Sequence, residues 1–123
     1  MTESLATIHI KNLRLRTLIG INTEELEKKQ DITLNIHIGY DAQKATSCDT
    51  IEHAVNYRSI TKKVIAFVEN NQFALLEKLT QDVLNLVCDT PHICGASVEI
   101  DKPHALRFAD SVSLKLTYGE PLR

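Results

Sequence analysis

The apolar positions of this chain follow a strand period, then a helical period, then a strand period again, and each change marks a new element. Near the N-terminus Ile8 and Ile10 share one parity, while Leu13 and Leu15 take the other, with Asn12 at the change. Successive side chains of an extended chain point to opposite faces, so one extra residue flips the set. The pattern predicts a long strand with a bulge or bend near Asn12. Ile32, Leu34, Ile36, Ile38 and Tyr40 then alternate with Thr33, Asn35, His37 and Gly39, which predicts a second, half-buried strand. Between the two, Gly20 to Gln30 is polar and too long for a tight hairpin turn. Residues 41–56 form a polar connection with one helical turn expected around Ile51–Ala54.

The period then lengthens. Ile60, Val64, Phe67 and Val68 gather on one face of a helix over about residues 58–69, which Asn70-Asn71 ends. Leu76, Leu79, Val83, Leu84 and Val87 make the stripe of a second helix over about 74–88, stopped by Asp89-Thr90-Pro91. Two strands close the chain, one turning Ala96, Val98 and Ile100 inward and one carrying Val112, Leu114, Leu116 and Tyr118. The order is strand, strand, helix, helix, strand, strand. The expected class is α+β, an antiparallel four-stranded sheet with two helices on one face. Such a sheet has two open edges with few protecting devices, so pairing with further subunits is expected.

Composition narrows the function classes. The 123 residues suit one domain over 1–123. A formal net charge of −2 supplies no basic excess for nucleic acid or an anionic membrane. No apolar run approaches the length of a membrane span, and Met1-Thr2-Glu3-Ser4 lacks the features of a secretory signal. Cys48, Cys88 and Cys94 are odd in number and unpatterned, which favours a reducing, cytoplasmic setting. Cys88, His92 and Cys94 lack the fourth ligand and paired spacing of a structural zinc site, so they read as small buried thiols at a helix end and a strand start. The four glycines are scattered, and no phosphate-binding loop is present.

Four polar residues stand out, each with a plainer explanation beside the chemical one. Glu77 lies near the start of the second helix, where the helix dipole alone favours a carboxylate. Lys102 ends a strand before Pro103 and could be a solvated edge residue. Tyr57 precedes the first helix and could be a packed ring. Glu25 sits in the charged stretch Glu24-Glu25-Leu26-Glu27-Lys28-Lys29, which could be a loop tip. Period and composition leave these alternatives open.

Five segments taken together resemble the dihydroneopterin aldolase and epimerase family. They are Asn12–Gly20, Leu34–Ile38, Asn56-Tyr57-Arg58, Phe73-Ala-Leu-Leu-Glu77-Lys-Leu, and Ile100-Asp-Lys-Pro103. The resemblance implies the tunnelling fold, in which ββααββ subunits join their sheets into a ring and two tetrameric rings stack as a homo-octamer. It implies that Glu77, with a backbone contact at Leu76, anchors a pterin whose neighbouring N–H donors suit a carboxylate. It also implies that Glu25 comes from a neighbouring subunit to hold the substrate's hydroxyls, that Tyr57 lies beside them as a catalytic residue helping to remove the 2′-hydroxyl proton, and that Lys102 is the catalytic lysine. The implied reaction is a retro-aldol cleavage of the C1′–C2′ bond with no metal and no cofactor, since the pterin's own N5=C6 imine accepts the electrons. Release of the aldehyde makes an aldolase; re-addition from its other face makes a 2′-epimerase. Asn12–Ile21 and Ile100–Ser113 are more similar to the epimerase branch. A triphosphorylated substrate would need cations, for which Arg107, His104, Lys28, Lys29 and Arg14 are candidates. A non-catalytic pterin-binding ring protein is the alternative from another class.

Overall fold

The computed structural model describes residues 5–119. Strand β1 (Leu5–Ile19) leads through a short helix α1 (Thr23–Glu27) into β2 (Gln30–Asp41). A short helix α2 (Gln43–Cys48) and a 3-10 turn at Ile51–His53 precede helix α3 (Tyr57–Glu69). The two-residue strand β3 (Gln72–Phe73), helix α4 (Leu76–Cys88), β4 (Ile93–Pro103) and β5 (Ser111–Gly119) follow. The sheet order is β3-β1-β2-β4-β5. Neighbours are antiparallel except β3, which runs parallel to β1 through Leu18–Gln72 and Ile19–Phe73.

The four long strands and two long helices match the expected order, but the sheet is mixed and five-stranded, and two short helices are added. A two-residue strand and helices of one or two turns carry no measurable period, which is why the hydrophobic pattern does not reveal them. The bulge lies where the parity flips. Ile10 pairs with Ile36 and Leu13 with Leu34, so Lys11 and Asn12 together oppose Asn35. Asn12 takes a positive φ of 50°, a conformation its short polar side chain tolerates. The Asn35 side chain closes the bulge: its Oδ1 accepts from Asn12 N at 3.1 Å, and its Nδ2 donates to Asn12 Oδ1 at 3.1 Å.

Ile32, Leu34, Ile36 and Ile38 of β2 and Ala96, Val98 and Ile100 of β4 have no exposed surface. They pack against Ile60, Val64 and Val68 of α3 and Leu79, Val83, Leu84 and Val87 of α4. Burying each of the larger aliphatics contributes about 1.5–3 kcal/mol. Asn56 starts α3 by accepting from Ser59 N at 3.1 Å. At the other end of α3, the buried Thr17 hydroxyl donates to the Val68 carbonyl at 2.7 Å and fastens the helix C-terminus to the end of β1. On the edge strand β5, Val112, Leu114 and Leu116 are half-buried and Tyr118 is exposed. Cys94 is exposed rather than buried, because the register between β2 and β4 skips it: Gly39 pairs with Gly95 and Tyr40 with Ile93. The helix-free face of the sheet is polar, and His9 stacks on His37 there with ring centroids 3.9 Å apart. No helix among the described residues is long and apolar enough to cross a membrane.

Candidate active site

At one end of the sheet β1 finishes, β2 starts, β4 finishes and β5 starts. The chain leaving β1 turns there at Gly20, whose φ is +144° and whose N–H donates to the Phe73 carbonyl at 2.9 Å. A Cβ on Gly20 would overlap the side chain of Glu25, which folds back into that space. Glycine is therefore required twice, by its backbone angle and by the missing side chain. Gln30 braces the same turn, donating from Nε2 to the Ile19 carbonyl at 2.7 Å.

Glu25 is thereby aimed at the end of β4. Its Oε2 accepts from Lys102 Nζ at 2.6 Å, and its Oε1 from Asn22 N at 3.4 Å. The pair is largely covered, with 17% of the Lys102 side chain and 25% of the Glu25 side chain exposed. The Lys102 hydrogen bond holds the Glu25 carboxyl below its ordinary range. Partial burial opposes that shift, while the Asn22 N–H, the Lys102 charge and the Gln30 amide add to it. The resemblance implies that Glu25 serves a neighbour's site; within this chain the turn folds over its own sheet, and Glu25 meets Lys102.

Glu77 stands at the same end. Phe73 pairs with Ile19, and α4 begins at the half-buried Leu76, so the helix N-terminus opens beside the Gly20 turn with Glu77 exposed in its first turn. Leu75, the residue before the helix, supplies no side-chain cap.

Tyr57 is not brought to this group. The C-terminus of α3 meets Thr17, Arg16 and Lys29, while Tyr57 opens the 13-residue helix, roughly 18 Å along its axis. His53, just before it in sequence, lies with Asp41 and His92 at the opposite end of the sheet. The Tyr57 ring is 56% exposed.

The candidate cations separate in the same way. Lys29 Nζ donates to the Glu69 carbonyl at 3.1 Å, closing the end of α3, and Lys28 is exposed after α1. His104, with φ 64°, and Arg107 lie on the exposed β4–β5 turn, where the Arg107 guanidinium sits 5.5 Å from the Phe108 ring centre. Arg14 lines a recess on the helix-free face with Pro103. Gly20 and Gln30 were not singled out by sequence reasoning. The available signal was the spacing Asn22-x-x-Glu25, a helix-start pattern that ties the turn together.

Two long helices on one face of a sheet whose other face is polar, with a covered lysine–carboxylate pair at the strand ends, place the chain in an α+β class. The sequence profile of the dihydroneopterin aldolase family, FolB, matches residues 8–117, and this chain belongs to that family. It is 55% identical over 116 residues to the dihydroneopterin triphosphate 2′-epimerase of Pseudomonas aeruginosa, covering 94% of each chain. The protein of that name from Escherichia coli K12 is 54% identical over 118 residues, covering 96% of this chain and 98% of that one. The crystal structure of E. coli dihydroneopterin aldolase in complex with neopterin superposes with a TM-score of 0.87 but shares 25% identity, covering 93% of this chain and 99% of that one.

Proposed function

We propose that this chain is a dihydroneopterin triphosphate 2′-epimerase, converting 7,8-dihydroneopterin triphosphate to its C2′ epimer by retro-aldol cleavage and re-addition. The observation that carries the reading is a Lys102–Glu25 pair at the site end of a chain 55% identical to one epimerase and 25% identical to an aldolase of the same fold.

In this reading Glu77 accepts the two neighbouring N–H donors of the pterin's aminopyrimidinone edge, with the Leu76 backbone beside it. A base takes the 2′-hydroxyl proton, the C1′–C2′ bond breaks, and its electron pair passes through C6 to N5 as an enamine forms. Lys102 supplies the proton toward N5, directly or through a water. The products of this step are a bound enamine and glycolaldehyde triphosphate. Rotation of the aldehyde and re-addition of C1′ to its other face reverse every transfer and invert C2′. Glu25 positions the Lys102 ammonium group through their hydrogen bond and orients the hydroxyls. Loss of the aldehyde before re-addition gives 6-hydroxymethyl-7,8-dihydropterin as a leak.

Tyr57 completes the site from a second copy, since its own helix carries it to the other end of the subunit. The open edges support such an assembly. Among the described residues β5 pairs on one side only, and on the outer edge of β1 only Leu18 and Ile19 are paired, with β3. Two stacked tetrameric rings of one-domain subunits, working in the cytoplasm, are the arrangement we favour. Incubating the protein with the triphosphate and with dihydroneopterin, and resolving stereoisomers from cleavage product, tests the reading.

A further inference from the structure

Epimerisation of a triphosphorylated substrate raises a question the catalytic pair does not answer: which groups hold the phosphates. The substrate's tail carries several negative charges, and a carboxylate, Glu25, faces the reacting carbons. The tail must therefore lead away from Glu25 toward cations. The strand register says where that can happen. On β4 the side chains alternate, so Lys102 shares the helix-side parity of Val98 and Ile100, and Pro103 takes the helix-free side. A recess of about 330 Å³ opens there, lined by Arg14, Arg16, Asp31, Thr33 and Pro103 among others. Arg14 pairs with Thr33 across β1 and β2, and Thr33 with Asp101 across β2 and β4. Two strand spacings of about 4.8 Å separate Arg14 from Asp101, the residue before Lys102, so a triphosphate tail that passes around the end of β4 comes within reach of the arginine side chain.

The commitments of the cations then discriminate among them. Arg16 is engaged, with Nε 3.1 Å from Asp31 Oδ1 and a guanidinium N–H donated to the Lys29 carbonyl at 3.1 Å. Lys29 closes α3 through the Glu69 carbonyl. Asp101 accepts from the Ser111 hydroxyl at 2.9 Å, which partly satisfies its charge. Arg14 makes no hydrogen bond or ion pair among the described residues and stands beside the Thr33 hydroxyl. An uncommitted guanidinium beside a hydroxyl at the lining of a recess suits planar, multi-point recognition of phosphate oxygens better than the cations of the β4–β5 turn, which do not line that recess.

We infer that Arg14, supported by Thr33, is the anchor of a polyphosphate subsite that takes the substrate's triphosphate tail. The inference rests on the triphosphate reading given under the proposed function, and its test is chosen to be independent of turnover. Inorganic tripolyphosphate is titrated calorimetrically into the intact protein and into its Arg14→Ala, Arg14→Lys and Arg107→Ala variants, each checked for native circular dichroism and assembly. Arg14→Ala is expected to weaken tripolyphosphate binding roughly 10-fold or more, the loss typical of a charge-assisted contact. Arg14→Lys should fall between, because it keeps the charge and loses the two-point geometry. Arg107→Ala should stay within about two-fold, since Arg107 lies on the β4–β5 turn and does not line the recess. Binding by Arg14→Ala within two-fold of wild type, or no binding by wild type, overturns the subsite. Tripolyphosphate binding that depends on Arg14 in a protein that fails to epimerise the triphosphate upholds the subsite and rejects the reaction instead.

Discussion

Glu25 and Lys102, 77 residues apart in sequence, meet at 2.6 Å because Gly20 lets the turn after β1 fold back over the end of β4. The carboxyl is held below its ordinary value of 4.5, first by the Lys102 hydrogen bond. A depressed folded-state pKa contributes stability that is fully present above the unfolded value and is lost as pH falls through the folded one. Urea midpoints of wild type should therefore fall with pH below about 4.5 more steeply than those of Glu25→Gln, whose amide does not titrate in that range. The difference is expected to stay near or below about 1 kcal/mol, since the pair keeps some solvent contact. Parallel pH profiles for the two proteins would remove the pair from the stability account.

Gly20→Ala should damage the site more than the fold. The added methyl must displace Glu25, and the φ of +144° is strained for alanine. A left-handed or otherwise disallowed angle costs about 1–3 kcal/mol. Turnover is expected to fall by more than 10-fold while the protein remains assembled at 25 °C. A variant with wild-type turnover would show that Glu25 need not sit where the turn puts it.

Glu77→Ala should weaken pterin binding by about 1.5–3 kcal/mol, the usual cost of losing a charged hydrogen-bond partner. Glu77→Gln should be weak as well, because its amide nitrogen would face a pterin N–H donor. Fluorescence titration with a non-reactive pterin reads both. Unchanged affinity in a folded Glu77→Ala protein would leave this carboxylate only its favourable place at the N-terminus of α4.

A site divided between subunits makes a complementation test possible. Tyr57→Phe and Lys102→Ala homo-oligomers should each be slow. Mixed by reversible dissociation, they should regain activity, because some interfaces then pair an intact Tyr57 with an intact Lys102. A Glu25→Ala and Lys102→Ala mixture should regain none, since both defects fall on the same half-site and every subunit carries one of them. Equal recovery in the two mixtures, with exchange demonstrated by mass, would contradict the division.

Where hydrophobic period carries the information, the fold was legible before any coordinates. The parity flip between Ile10 and Leu13 locates the bulge, and Ile60, Val64 and Val68 locate the buried face of α3. Gln72–Phe73 offers a single apolar residue, too little to announce a strand whose partner is more than fifty residues earlier. The turn at Glu24–Glu27 looks like a solvated tip, since nothing local says that Glu25 will find a lysine at the end of β4. The resemblance brings Glu25 and Lys102 forward, but it does not foretell that the two meet within one chain. That meeting depends on how one turn folds over the sheet, as the place of Tyr57 depends on how far α3 carries it. Cys94 fails for a related reason: it has inward parity, and a register skip that no period encodes turns it out.

If cleavage and re-addition occur without release of the aldehyde, an aldehyde trap should leave epimerisation untouched. Purified protein is incubated with 7,8-dihydroneopterin triphosphate at low salt, with and without an excess of a hydrazine that captures free glycolaldehyde triphosphate. The 2′-epimer and 6-hydroxymethyl-7,8-dihydropterin are then resolved chromatographically. Retention predicts the epimer as the main product at nearly the same rate in both reactions, with trapped aldehyde matching only the small cleavage leak. Cleavage product dominating without the trap, or epimer disappearing when the trap is present, would contradict the account.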